Sequence, residues 1–238
     1  MGTIDLRRFD GPQPLAEAAA RDCFSVVSQR VQNDASFLMA LSGGRIAKTF
    51  CSALAKGAGA RGLGEQVHFF WSDERCVPPQ NPESNFLLAN EALLQPLSIA
   101  PSRIHRIEGE KKGELAFAKA EADLRGLAGV TPSGQPILQL VLLGMGEDGH
   151  VASLFPGGSE RDFTSEAWFR CVTASKPPPQ RVTMGFPAIV AAEQVWVLAS
   201  GEGKRGALEE SLRPGARTPL ARVIQGRNVT RIYSDIPE

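Results

Sequence analysis

The sequence predicts an α/β protein, a modified doubly wound and mostly parallel sheet with helices on both faces, in one domain over residues 1–238. Three observations carry that expectation. Short apolar or β-rich runs alternate with longer stretches of helical spacing, a pattern that favours a parallel sheet covered on both sides. Polar and glycine-rich segments follow four of the apolar runs, and open α/β sheets bind ligands beyond the carboxyl ends of their strands. A chain of 238 residues also has room for a sizeable core within one such domain.

Residues 36–41, 67–71, 138–143, 194–199 and 229–233 read as strands, each a short run bounded by turn residues. Residues 14–31 read as a helix, with Leu15, Ala18, Ala19, Asp22, Val26 and Gln29 recurring about every 3.6 residues. A second helix is expected over 82–94, starting near Pro82, and a third over 113–127, rich in good helix formers. Three consecutive prolines make 176–180 an extended surface loop. No repeat or low-complexity tract interrupts the chain.

Twenty-six Lys and Arg balance 26 Asp and Glu, which argues against a surface built for nucleic acid. An anionic ligand must then be met by a few placed cations. No apolar run approaches the roughly 20 residues of a membrane span, and residues 1–9 are too polar for a signal peptide. A cytoplasmic protein is expected. Cys23, Cys51, Cys76 and Cys171 show no metal-like spacing, so free thiols in a reducing compartment follow. Cys76, after a charged segment, reads either as a reactive thiol or as a small side chain near a turn.

Four strand ends carry the candidate chemistry. At Ser42–Gly43–Gly44, two glycines between strand and helix suit either a tight turn or a cradle of N–H groups for an anion. The segment Ser72–Asp73–Glu74–Arg75 sets two carboxylates beside a guanidinium that matches phosphate geometry, although charge runs are usually solvated. In Gly144–Met145–Gly146–Glu147–Asp148–Gly149–His150, three glycines in six residues precede a histidine next to carboxylates. Histidine is the side chain best suited to general-base work near neutral pH. His68, inside an apolar run, reads as packed, and His105, between Arg103 and Arg106, reads as a surface residue. Lys204 opens a helix after Ser200–Gly201–Glu202–Gly203 and opposes its dipole, which is easier to understand beside a bound anion. Arg181, leaving the proline loop, suits a second clamp or a surface ion pair.

These segments together resemble the 6-phosphogluconolactonase family, within the group that includes glucosamine-6-phosphate deaminases. The resemblance rests on FWSDERCVPPQNPESN (70–85), LVLLGMGEDGHVASLFPG (140–157), PPPQRVTMGFPAI (177–189) and LASGEGKRGAL (198–208). It implies hydrolysis of 6-phosphogluconolactone to 6-phosphogluconate, with no metal and no organic cofactor. By the same resemblance His150 activates water, and Asp148 orients the loop or His150. Arg75 and Lys204 hold the phosphate with the Ser42, Gly43 and Gly44 turn, while Arg181 helps bind substrate. Asp73, Glu147 and Arg45 are supporting candidates.

One departure stands out. The family usually continues its SGG with a small hydroxyl residue and a proline, where this chain has Arg45–Ile46–Ala47. Arg45 either replaces lost donors with a charge or obstructs the pocket. Two other readings compete: a sugar-phosphate isomerase–deaminase with Asp73 as base, and a phosphosugar-binding module without turnover. The residues after DGH argue against the first, and retention of Glu147, Asp148 and His150 argues against the second. The expected partner is a phosphorylated sugar lactone, with no membrane and with a monomer as the expected state.

Overall fold

The computed structural model describes residues 2–31, 36–57 and 60–237. In chain order it begins with β1 (Thr3–Arg8), α1 (Pro12–Val31), β2 (Phe37–Leu41), α2 (Arg45–Lys56), α3 (Ala60–Gln66), β3 (Val67–Trp71) and β4 (Asp73–Arg75). Next come α4 (Asn85–Ala89), α5 (Ala118–Leu127), β5 (Gly129–Val130), β6 (Pro136–Ile137), β7 (Leu140–Gly144), α6 (Arg161–Thr164) and β8 (Phe169–Thr173). The chain closes with β9 (Gln180–Met184), α7 (Phe186–Ala191), β10 (Gln194–Ala199), α8 (Arg205–Leu212), α9 (Pro219–Gln225) and β11 (Val229–Ser234).

Six strands form one sheet in the order β1-β11-β10-β7-β2-β3, with every neighbouring pair parallel. All five residues of β2 are buried, so both faces of the sheet are covered there and its run is continuously apolar, as a central parallel strand requires. Helices flank the sheet. On α2 the buried residues Ile46, Ala47, Phe50, Cys51 and Leu54 form the inward stripe. Trp71, Trp196, Tyr233, Phe37, Phe50 and Phe69 are among the largest fully buried side chains. Truncating one such aromatic residue costs about 3–5 kcal/mol.

From β2 the chain steps outward to β3, then returns to β7 and continues the other way through β10 and β11. The order reverses between β2 and β7, where a doubly wound sheet opens its binding crevice. Only Met39–Leu140 and Ala40–Val141 are paired across this seam. Beyond them Gly144 N–H donates to Ser42 Oγ at 3.0 Å.

The five expected strands are present, the third starting two residues later and ending one residue later than expected. Three sets were not expected, one of them the two-stranded antiparallel sheet β5-β6. The half-exposed strand β1 forms the sheet edge against β11, and β4-β9-β8 makes a separate antiparallel sheet. The 176–180 loop joins β8 to β9 and is largely exposed. The second helix starts at Asn85 and not near Pro82, because Ser84 Oγ accepts the Leu87 N–H and caps it. It continues as a π-helical turn over Asn90–Leu94. The third divides into a short 3-10 turn at Gly113–Ala116 and α5. Among the described residues no helix is long and apolar enough to cross a membrane.

Candidate active site

A cavity of about 450 Å³ opens at the β2/β7 seam. Its walls come from all four strand-end segments: Ser42 to Arg45 after β2, Asp73 and Arg75 after β3, Gly144, Met145 and His150 after β7, and Ser200, Gly201 and Lys204 after β10. Thr49, Arg181, Asn85 and Asp235 complete the polar lining.

His150 is held from behind. Its Nδ1 lies 2.5 Å from Asp148 Oδ1, which also accepts the His150 backbone N–H at 3.1 Å. Burial opposes ionisation of Asp148, but these hydrogen bonds outweigh it and hold the carboxyl below its usual range. An ionised Asp148 only accepts, so Nδ1 carries the hydrogen and the Nε2 lone pair is left for the cavity. Among the described residues Nε2 has no partner. Phe155 packs against the ring at 4.8 Å between centroids. Gly146 is required by proximity: a Cβ there would lie 2.0 Å from His150 Nδ1.

The carboxylates after β3 are not solvated. Asp73 is 4% exposed and Glu74 2%, because β4 pairs with β9 and the start of α4 covers Glu74. Asp73 lines the cavity, and its Oδ2 accepts from Ser153 Oγ at 2.7 Å while Oδ1 accepts from Asn85 Nδ2 at 3.2 Å. Glu74 has a different task. Its Oε1 accepts the Arg75 and Asn85 N–H groups at 2.7 Å, and Oε2 accepts the Phe86 N–H at 2.7 Å and Ser84 Oγ at 3.0 Å. Burial pushes its carboxyl up to about 7 against the pull of those donors. Glu74 therefore ties β4 to the start of α4 and fixes Asn85, whose side chain sits where a Cβ on Gly43 would be 1.8 Å away.

Four cations face the cavity. Arg75 Nη1 donates to Glu83 O at 2.7 Å, and its buried Nε has no partner among the described residues. Arg181, paired in register with Arg75, donates from Nε to Pro178 O at 3.0 Å, and its guanidinium lies 5.7 Å from the Phe155 ring centre. Burial and the neighbouring Arg75 charge pull Arg181 below its ordinary range. Lys204 is half-buried and caps α8. Burial, then the Arg45 charge, holds its ammonium below the usual lysine range.

Of the candidates read from sequence, Ser42, Gly43, Gly44, Arg45, Asp73, Arg75, His150, Arg181 and Lys204 line this one cavity, and Asp148 stands behind His150. Glu147 does not line it; its side chain is exposed and approaches Gly203. The surface expectation for His105 is wrong. That ring is 7% exposed, stacks on Phe70 at 4.5 Å and pairs with Asp123 and His68. Of the neighbouring arginines, Arg103 joins the same cluster through His68 and Arg106 pairs with Glu110. Sequence reasoning missed Asn85, Ser153 and Asp235. Asp235 orders the fourth loop, accepting from Ser200 Oγ at 2.7 Å and Gly201 N–H at 2.8 Å. No local signal marks these three, since each acts through a segment distant in sequence.

An imidazole backed by a carboxylate, at the sheet's reversal point and beside four cations, suits hydrolysis of an anionic substrate. The family model described as glucosamine-6-phosphate isomerases/6-phosphogluconolactonase matches residues 10–232. This chain belongs to that family. A probable chloroplastic 6-phosphogluconolactonase of Oryza sativa is 33% identical over 240 residues, covering 96% of this chain and 73% of its own. The 6-phosphogluconolactonase of Treponema pallidum is 34% identical over 211 residues, covering 86% and 85% respectively. Among solved structures, the 6-phosphogluconolactonase of Trypanosoma brucei superposes with a TM-score of 0.82 at 28% identity, covering 98% of this chain and 96% of its own. The modified doubly wound architecture is thus the fold of this family.

Proposed function

We propose that this enzyme is a 6-phosphogluconolactonase, hydrolysing 6-phospho-D-glucono-1,5-lactone to 6-phosphogluconate in the oxidative pentose phosphate pathway. The observation that carries the reading is His150, its Nδ1 engaged by Asp148, on a cavity lined by Arg45, Arg75, Arg181 and Lys204. In the proposed mechanism His150 Nε2 takes a proton from water as its oxygen attacks the lactone carbonyl. Asp148 holds the ring orientation and stabilises the imidazolium that forms. The positive field of the cavity wall meets the developing oxyanion. The tetrahedral intermediate collapses with loss of the ring oxygen, to which His150 returns the proton. Arg75, Lys204 and the Ser42–Gly44 turn anchor the phosphate, Arg181 helps bind substrate, and Asp73 supports the pocket. Anchoring the phosphate away from the carbonyl supplies binding energy for positioning.

Residues 1–238 act in this proposal as one catalytic domain, without a metal or organic cofactor. We also assign it to the cytoplasm as a monomer that engages neither nucleic acid nor membrane. Four free thiols, Cys171 exposed among them, support a reducing compartment. Only four large apolar residues, Leu115, Leu127, Val130 and Val229, are exposed among the described residues, which supports a monomer.

The test is hydrolysis of freshly generated 6-phosphogluconolactone with the spontaneous rate subtracted and unphosphorylated gluconolactone run beside it. Strong preference for the phosphorylated lactone, with no ammonia released from glucosamine 6-phosphate, is expected. Ammonia release would favour Asp73 as a base and the deaminase chemistry.

A further inference from the structure

Two of the four cavity cations are restrained by protein acceptors and two are not. Arg75 is held by Glu83, and Arg181 by the carbonyls of Pro178 and Lys176. Among the described residues, the side chains of Arg45 and Lys204 form no hydrogen bond or ion pair, although both line the same cavity. Each also stands at a helix start where a cation is misplaced. Arg45 is the first residue of the 12-residue α2, and Lys204 caps the eight-residue α8. Neither α2 nor α8 has a side-chain cap; α2 has no acidic residue in its first turn, and α8 is entered through the 3-10 turn Glu202–Lys204, which carries Glu202. Helix starts carry orphan N–H groups and partial positive charge, so a cation there is disfavoured and an anion favoured. The charge of Arg45 also acts on Lys204, which puts the two within electrostatic reach of each other.

Arg45 and Lys204, two cations without a hydrogen-bonded acceptor on one cavity, form an arrangement whose mutual repulsion Asp235 and Glu147 oppose only from the Lys204 side. A ligand group with two negative charges resolves it. Resting on the lactonase reading, we propose that Arg45 is a specificity-determining residue that acts with Lys204 to select a dianionic phosphate on the substrate. Arg45 is exposed at the cavity, so its guanidinium is free to swing onto the phosphate as the substrate enters. Its planar fork offers two parallel donors to phosphate oxygens.

The experiment compares Arg45→Ala and Arg45→Lys with the wild type on phosphorylated and unphosphorylated gluconolactone. Arg45→Ala should raise KM for the phosphorylated lactone about tenfold or more, as expected for loss of a charge-assisted hydrogen bond. The kcat/KM ratio between the two lactones should fall correspondingly, with partial recovery in Arg45→Lys. The loss should be larger above about pH 6, where a phosphate monoester carries its second charge. Calorimetric binding of 6-phosphogluconate to the same proteins reads the phosphate contact without turnover and should weaken in parallel. An unchanged lactone ratio and unchanged 6-phosphogluconate affinity would overturn the proposal. A lower KM in Arg45→Ala would also overturn it, by making Arg45 an obstruction. Failure of the wild type to hydrolyse either lactone would sink the lactonase reading alone, and the calorimetry would still decide the role of Arg45.

Discussion

Asp148 Oδ1 lies 2.5 Å from His150 Nδ1 and also accepts the His150 backbone N–H. One carboxylate oxygen thus fixes both the ring and the turn that presents it. This sets the tautomer and leaves Nε2 with a lone pair. In Asp148→Asn, the amide can donate to Nδ1, which forces the hydrogen onto Nε2 and disables the base. Turnover of the lactone should fall about 10²–10⁴-fold with an unchanged circular dichroism spectrum. A kcat within threefold of wild type would make Asp148 a loop scaffold only.

Gly146→Ala should inactivate by displacement. The added methyl would sit 2.0 Å from His150 Nδ1 and 2.8 Å from Asp148 Oδ1, in a loop that can shift while the strand behind it stays packed. Activity should drop about as far as in Asp148→Asn, with the thermal midpoint lowered by only a few degrees, about 1 kcal/mol. Normal turnover would mean that the loop yields without moving the ring.

Glu74→Gln should destabilise the start of α4. The amide nitrogen would donate where Phe86 N–H and Ser84 Oγ now require an acceptor, or where the Arg75 and Asn85 N–H groups do. A loss of about 1–3 kcal/mol in urea denaturation is expected for a buried mismatch. KM should rise too, because Asn85 and Arg75 line the cavity. Unchanged stability would show that Glu74 is already protonated and needs fewer acceptor sites.

A chain of contacts on the far side of β3 predicts acid sensitivity. Arg103 donates to His68 Nε2 at 3.0 Å, His68 Nδ1 meets His105 Nε2 at 2.9 Å, and His105 Nδ1 meets Asp123 at 2.8 Å, beside Lys119. Donors and acceptors match only when both rings are neutral. Burial, then Arg103 and His105, holds His68 down to about 4, while Asp123 opposes. An unfolded histidine takes its proton near pH 6.5, so between about 6.5 and 4 the unfolded chain binds more protons than the folded one. Stability should therefore fall as pH drops through that window. In His68→Asn the fall in urea midpoint should be shallower. Equal slopes in the two proteins would remove the histidine chain from the explanation.

Much of this site was legible in the sequence because fully buried parallel strands leave continuous apolar runs, and the loops after them are where such folds bind. Ser42, Arg75, His150 and Lys204 lie at those ends and share the cavity. What failed to show were features made by pairing at a distance. The edge strand β1 is half-exposed and carries Asp5, Arg7 and Arg8, so no apolar run marks it. Strand β4 reads as a charge run, and pairing with β9 together with contact to the start of α4 buries Asp73 and Glu74. His105 sits among arginines in sequence but packs on Phe70. Burial of a polar group depends on its partners, and those lie elsewhere in the chain.

The most direct test of the account is kcat for His150→Ala on freshly generated 6-phosphogluconolactone, with fold and 6-phosphogluconate binding checked in the same preparation. The account predicts a fall of about 10²–10⁴-fold with binding retained. Turnover near the wild-type value in a folded, ligand-binding variant would contradict it and move the base elsewhere in the cavity.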